Sequence, residues 1–137
     1  MGLSFAAIAK PALVFVGAGT GGMLRYWLGG LLQHWLANSF PIGTLTVNLT
    51  GCFAMGFLAT SFADEAVVHD EYRMIVLIGF LGGYTTFSAF SYETLVLLRA
   101  ADWTRVGLYV LGSVLLSLLA VWFGALLADK LFGPSVP

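Results

Sequence analysis

Four long apolar runs alternate with short polar interruptions along this chain. The runs cover 11–36, 43–62, 74–98 and 106–127. A bilayer hydrocarbon core of about 30 Å needs about 20 helical residues, so each run is long enough to cross one. The interruptions are a turn at 38–41 that includes Asn38 and Pro41, a charged loop at 64–73 (Asp64, Glu65, His69, Asp70, Glu71, Arg73), and a last loop at 99–105. The pattern predicts an all-α membrane protein, with residues 1–137 forming one four-helix transmembrane domain. A tail after Lys130 carries Gly133, Pro134 and Pro137 and reads as disordered. The apolar run that follows Lys10 is too long for the hydrophobic part of a signal peptide, and three more runs follow it, so it reads as a mature span.

Composition supports this pattern. Hydrophobic residues make up 59% of the 137 residues and charged residues 9%. A soluble domain carries about 25% charged residues, so this chain lacks the charge to cover a water-facing surface. Its apolar surface faces lipid. Net charge is −1, which provides no basic face for nucleic acid and no polybasic tail for an anionic membrane surface. Cys52 is the sole cysteine, which excludes an intrachain disulfide and thiol-redox pairs.

Spans joined by short loops alternate direction. Lys10, Arg73 and Lys130 then share one side, and Arg99 and Arg105 the other, with Arg25 able to even the count. The positive-inside rule sets no clear orientation. Two readings stay open on charge alone: a weakly biased fixed topology, or dual topology in which copies insert both ways and pair antiparallel. Small residues mark helix contacts: Gly17, Gly19, Gly21 and Gly22, then Gly51 and Gly56, then Gly79, Gly82 and Gly83. Four helices of this length do not comfortably enclose a polar route, so a homo-oligomer is expected.

The third run holds the candidate chemistry. Gly82 and Gly83 precede the β-branched Thr85 and Thr86 at mid-membrane, a combination that weakens helix propensity. A break there would free backbone groups, which are tolerated at that depth only when buried in protein or lining a cavity. A continuous helix with packing glycines is the alternative. Phe87 and Phe90 project from similar sides, and their positive ring edges suit an anion without trapping it, although taken alone packing is the better account of the pair. In the second run Asn48 offers amide donors, with Thr44 one turn before it; the alternative role is interhelical glue. Tyr109, Ser113 and Ser117 recur every four residues as a hydroxyl ladder, unless the serines bond their own backbone. Arg25 and Glu93 are intramembrane charges, functional candidates unless they reach the surface by snorkelling. Arg25 could draw anions into a vestibule, and Glu93 could pair with Arg25 or with a partner's donor.

Two segments together resemble the CrcB/Fluc fluoride channel family: Gly43-Thr44-Leu45-x-Val47-Asn48-x-x-Gly51, and Gly79-Phe80-x-Gly82-Gly83-x-Thr85-Thr86-Phe87-Ser88-x-Phe90-Ser91-x-Glu93. Arg25 after a Gly-rich stretch adds to the likeness, which covers all four runs in order. The resemblance implies an antiparallel, dual-topology homodimer in a plasma (inner) membrane that exports fluoride passively and so limits its toxicity. It implies that Phe87 and Phe90 form a phenylalanine box, that Asn48 is a pore asparagine, and that Thr44, Tyr109, Ser113 and Ser117 form a hydroxyl track, with Ser88, Ser91, Arg25 and Glu93 along the pathway. It also implies a structural sodium ion held by backbone carbonyls at Gly82 and Thr85. Tyr84, Ala89 and Tyr92 fill positions that vary in the family. Such a route would replace fluoride's water by many weak donors in series, and a central cation would raise the local potential for anions.

Two rival classes are weighed beside this. A proton-coupled, dual-topology multidrug exporter needs a central carboxylate, for which Glu93 is the candidate, but that class places its carboxylate in the first span, where this chain has Arg25. A non-transporting scaffold subunit would use the polar residues only as glue. His34 and His69 read as solvated, no metal-ligand spacing or Ser/His/Asp set appears, and Gly17-x-Gly19-x-Gly21-Gly22 does not fit a dinucleotide fingerprint. Enzyme activity is not expected.

Overall fold

The computed structural model describes residues 5–36, 40–63 and 70–134, and every regular element among them is helical. Helix α1 spans Phe5–Leu36 and α2 spans Ile42–Ser61. A helical stretch follows, built of α3 (Asp70–Arg73), a π-helical segment (Met74–Leu81) and α4 (Gly82–Tyr84). It is broken at Thr85 and Thr86 and resumes as α5 (Phe87–Arg99). Helix α6, Trp103–Phe132, completes the chain.

Run 11–36 falls within α1 and run 106–127 within α6, whereas Phe62 lies just past α2 and run 74–98 is interrupted at Thr85 and Thr86. Helix α1 begins at Phe5, ahead of the expected start, and carries Pro11 within it. The last loop, expected at 99–105, shrinks to Ala100, Ala101 and Asp102. The Asp102 carboxylate caps α6 by accepting from the Arg105 N–H at 3.1 Å, and it lies 3.4 Å from the Arg105 Nε. At the other end, α6 runs on to Phe132 and stops at Gly133, whose φ of 91° suits glycine and whose N–H reaches the Asp129 carbonyl. Leu131 and Phe132 are therefore helical, which corrects the disordered tail for those positions. Positions 135–137 of that tail, Asn38 in the first turn, and Asp64, Glu65 and His69 in the charged loop lie outside the described residues.

Among the described residues, three stretches are long and apolar enough to cross a membrane: Ile42–Ser61, Glu71–Arg99 and Trp103–Phe132. Helix α1 has the length, at 32 residues, but glycines together with Arg25, Gln33 and His34 dilute its apolar character. Large apolar side chains such as Phe15, Trp27, Leu115 and Leu118 point outward, as expected where the solvent is lipid.

Helix α2 lies between α1 and α6, and α1 packs against the π-helical segment and α4. Two contacts show why glycine is needed. A Cβ on Gly21 would collide with the Phe80 carbonyl, and one on Gly56 with the Val121 carbonyl. Backbone-to-backbone approach of this kind is how helices associate in lipid, where no hydrophobic drive separates helix from solvent. The expectation of close contact holds for Gly17, Gly51, Gly79 and Gly83 as well. It fails at Gly19, which has open space around it, and at Gly22 and Gly82, which have room to spare.

Candidate functional site

The break at Thr85 and Thr86 organises the site. Both residues are extended, with φ/ψ of −79°/157° and −151°/118°, so the continuous-helix alternative is excluded. Two glycines and two β-branched residues in succession make this the weakest helical stretch of the run. Thr85 closes α4, its N–H and hydroxyl both donating to the Leu81 carbonyl at 3.0 and 2.9 Å. Thr86 opens α5, its Oγ1 accepting from the Ala89 N–H at 3.2 Å.

Extended backbone at membrane depth needs partners, because an unsatisfied peptide group in hydrocarbon costs several kcal/mol. Asn48 of α2 supplies them. Its Nδ2 donates to the Thr86 carbonyl at 3.0 Å, and its Oδ1 accepts from the Thr86 N–H at 2.8 Å. One consequence concerns Gly82 and Thr85. In an unbroken helix their carbonyls would accept from the N–H groups of Thr86 and Ala89. Those donors are spent instead on the Asn48 Oδ1 and the Thr86 Oγ1. Both carbonyls are thereby released from their helical donors, and Gly82 is exposed. Hard carbonyl oxygens released from their helical donors suit a small cation such as sodium.

Thr86 stands between two recesses and lines both. The first, about 400 Å³, lies among α2, α5, α6 and the break, and is lined by Asn48, Phe87, Phe90, Ser113, Ser117 and Cys52. The Phe87 and Phe90 rings are 5.4 Å apart and tilted by 45°. Phe90 is buried against Tyr109, with ring centroids 5.2 Å apart, whereas Phe87 is 78% exposed. Ser113 is buried and its Oγ has no hydrogen-bond partner among the described residues. Bonding to its own helix is therefore not what occupies this hydroxyl.

The second recess, about 490 Å³, is lined by Arg25, Gln33, Thr44, Thr86 and Glu93. The Glu93 carboxylate accepts from the Thr44 hydroxyl at 2.7 Å and from the Tyr109 hydroxyl at 2.5 Å. Among the described residues Glu93 is thus paired with hydroxyls and not with Arg25, although both line one recess. Two short hydrogen bonds hold the carboxylate within the protein, so snorkelling does not explain Glu93.

Placement of the predicted residues is uneven. Asn48, Thr85, Phe87, Phe90, Ser113 and Ser117 come together at the first recess, and Arg25, Thr44 and Glu93 at the second. The hydroxyl ladder on α6 is split: Tyr109 is fully buried and serves Glu93, while Ser113 and Ser117 face the first recess. Ser88 and Ser91 line neither recess. Ser88 shares a hydrogen bond with the Thr86 Oγ1 at 3.1 Å, and Ser91 donates to the Phe87 carbonyl at 2.9 Å. Two contributors were not anticipated. Thr86 links Asn48 to the helix cap. Gln33 donates to the Phe40 carbonyl at 3.1 Å and accepts from the Gly43 N–H at 3.3 Å, tying α1 to the start of α2. An amide side chain two turns before a predicted turn was the available signal for Gln33.

Residues 12–125 match the family described as CrcB-like protein, Camphor Resistance (CrcB). Among curated relatives, a protein of Solibacter usitatus (strain Ellin6076) named fluoride-specific ion channel FluC is 47% identical over 121 residues, covering 88% of this chain and 99% of the relative. A protein of the same name from Paramagnetospirillum magneticum (strain ATCC 700264 / AMB-1) is 46% identical over 115 residues, covering 82% and 90%. Another, from Methylococcus capsulatus (strain ATCC 33009 / NCIMB 11132 / Bath), is 46% identical over 131 residues, covering 96% of this chain and 55% of that longer protein.

Proposed function

The chain belongs to the CrcB-like family, and from that premise we propose that it is a fluoride-specific ion channel that lets fluoride leave the cell passively and so relieves its toxicity. The observation that carries the reading is the broken third helix, whose clasp to Asn48 sets Phe87, Phe90, Ser113 and Ser117 around one recess. The proton-coupled exporter weighed from the sequence has no support from the family.

Fluoride is small and strongly hydrated, and its water must be replaced stepwise. The Ser113 hydroxyl, buried and without a partner among the described residues, is ready to donate. Only one of the two Asn48 Nδ2 hydrogens is spent on Thr86. The Phe87 and Phe90 edges add weakly positive surface. None of these groups carries a full charge, so an anion meets many shallow sites and no deep trap. Arg25, in the other recess, supplies positive potential at an entrance.

The working unit is an antiparallel homodimer of dual topology, each chain crossing a plasma (inner) membrane four times, with α1 as the first crossing. The exposed Phe87 and Gly82 and the openness of the first recess support this, since a second inverted copy would cover them. A structural sodium ion at the dimer centre would be held by the carbonyls of Gly82 and Thr85. When bound, it supplies fixed positive potential beside the anion route and joins the two broken helices.

Reconstitution into liposomes with a fluoride electrode tests the function. Rapid fluoride efflux under a potassium gradient with valinomycin, unaffected by a proton gradient, is the expected result. Absence of fluoride efflux from folded, reconstituted protein overturns it.

A further inference from the structure

Asn48 is not the only group on α2 that grips the break. Tyr84, the residue just before Thr85, is buried at 5% exposure, and its hydroxyl lies 2.9 Å from the Thr50 Oγ1. The Thr50 hydroxyl points its hydrogen at its own helix, toward the carbonyls of Thr46 at 2.8 Å and Val47 at 3.1 Å. Its lone pairs remain for Tyr84, so Tyr84 donates and Thr50 accepts. The Tyr84 ring is also stacked parallel to Phe80, with centroids 6.1 Å apart and planes 5° from parallel.

Successive residues of a helix are turned by about 100°. Asn48 and Thr50 therefore lie on either flank of the α2 face whose middle is Gly51. Gly51 has no room for a side chain: a Cβ there would strike the Thr85 methyl and come within 3.1 Å of the Tyr84 ring. The break thus sits in a saddle. Gly51 is its floor, Asn48 holds the C-terminal side through Thr86, and Thr50 holds the N-terminal side through Tyr84. Between the two grips lies the Thr85 carbonyl, and two residues before Tyr84 lies that of Gly82.

We infer that the Tyr84–Thr50 hydroxyl pair is a positioning device that fixes the Gly82 and Thr85 carbonyls at a spacing suited to sodium. This rests on the sodium site proposed above. Tyr84 touches neither ion nor anion; it acts by tying α4, the end of the helical stretch that runs on from Met74–Leu81, across to α2. Asn48 grips only the α5 side of the break, through Thr86.

The test is sodium-dependent thermal stabilisation of the detergent-solubilised protein, with fluoride efflux measured alongside. Wild-type protein melts higher as sodium replaces N-methylglucamine. Tyr84→Phe and Thr50→Val each raise the half-stabilising sodium concentration about tenfold, as loss of a group that orients metal ligands commonly does. The double variant shifts it no further than either single one, and Thr50→Ser, which keeps the hydroxyl, restores the wild-type value. Efflux at saturating sodium returns to the wild-type rate, because the effect lies in sodium affinity. A wild-type sodium dependence in Tyr84→Phe, or additive shifts in the double variant, overturns the positioning role while leaving the sodium site intact. A wild-type protein with no response to sodium overturns both.

Discussion

The Asn48 side chain forms two hydrogen bonds to the main chain of one residue, Thr86: its Nδ2 to the carbonyl and its Oδ1 to the N–H. An amide side chain matches a peptide group donor for acceptor. No other side chain at that position can do this except glutamine, which is one methylene too long. The clasp joins two helices and uses one amide hydrogen, which leaves the other for the pore role proposed for Asn48.

Asn48→Asp is expected to abolish fluoride efflux from liposomes. An ionised aspartate still accepts from the Thr86 N–H but cannot donate to its carbonyl, and it places a negative charge on the anion route. The orphaned carbonyl costs about 1–3 kcal/mol, so the melting temperature falls as well. Wild-type flux in this variant refutes the assigned role.

Phe87 and Phe90 separate by stability. Phe87 is 78% exposed in the chain, so Phe87→Ile is expected to abolish flux with little cost to the fold of the single chain. Phe90 packs on Tyr109, and Phe90→Ala should cost about 3 kcal/mol on top of the lost flux. Efflux with a fluoride electrode and melting curves on the same samples check both statements.

Ser113→Ala removes a buried hydroxyl that has no partner among the described residues. Deleting an unsatisfied group is neutral or stabilising. The expected outcome is an unchanged or higher melting temperature together with fluoride efflux lowered by roughly tenfold, the value of one lost hydrogen bond of about 1.4 kcal/mol. An unchanged efflux rate would place the anion elsewhere.

Tyr109→Phe takes one of two donors from the Glu93 carboxylate and leaves the ring stacking untouched. A hydrogen bond to a charged acceptor is worth about 1.5–3 kcal/mol, and destabilisation of that size is expected in a denaturant or thermal titration. Thr44→Val removes the other donor, and the pair should be non-additive because both act on one carboxylate.

Gly56→Val should prevent accumulation of folded protein. Its Cβ would overlap the Val121 carbonyl, and backbone, unlike a flexible side chain, cannot move aside. Gly19→Ala, at a position with open space, serves as the control and should express normally.

Helical class, the affinity of the surface for lipid, and the residue types available for chemistry follow from the sequence by itself, because length, periodicity and the scarcity of charge are local quantities. The weakness of 82–86 is also local, since propensity acts through near neighbours, but composition left a break and a packing glycine pair equally open. Tertiary structure decided between them by bringing Asn48 to Thr86 across 38 positions of chain. It also divided Tyr109 from Ser113, which a four-residue step had placed on one face, and paired Glu93 with hydroxyls where charge had suggested Arg25. Periodicity tells which way a side chain points along its own helix. Which partner it meets depends on how the helices pack, and close approach at glycines such as Gly21 and Gly56 sets that in three dimensions.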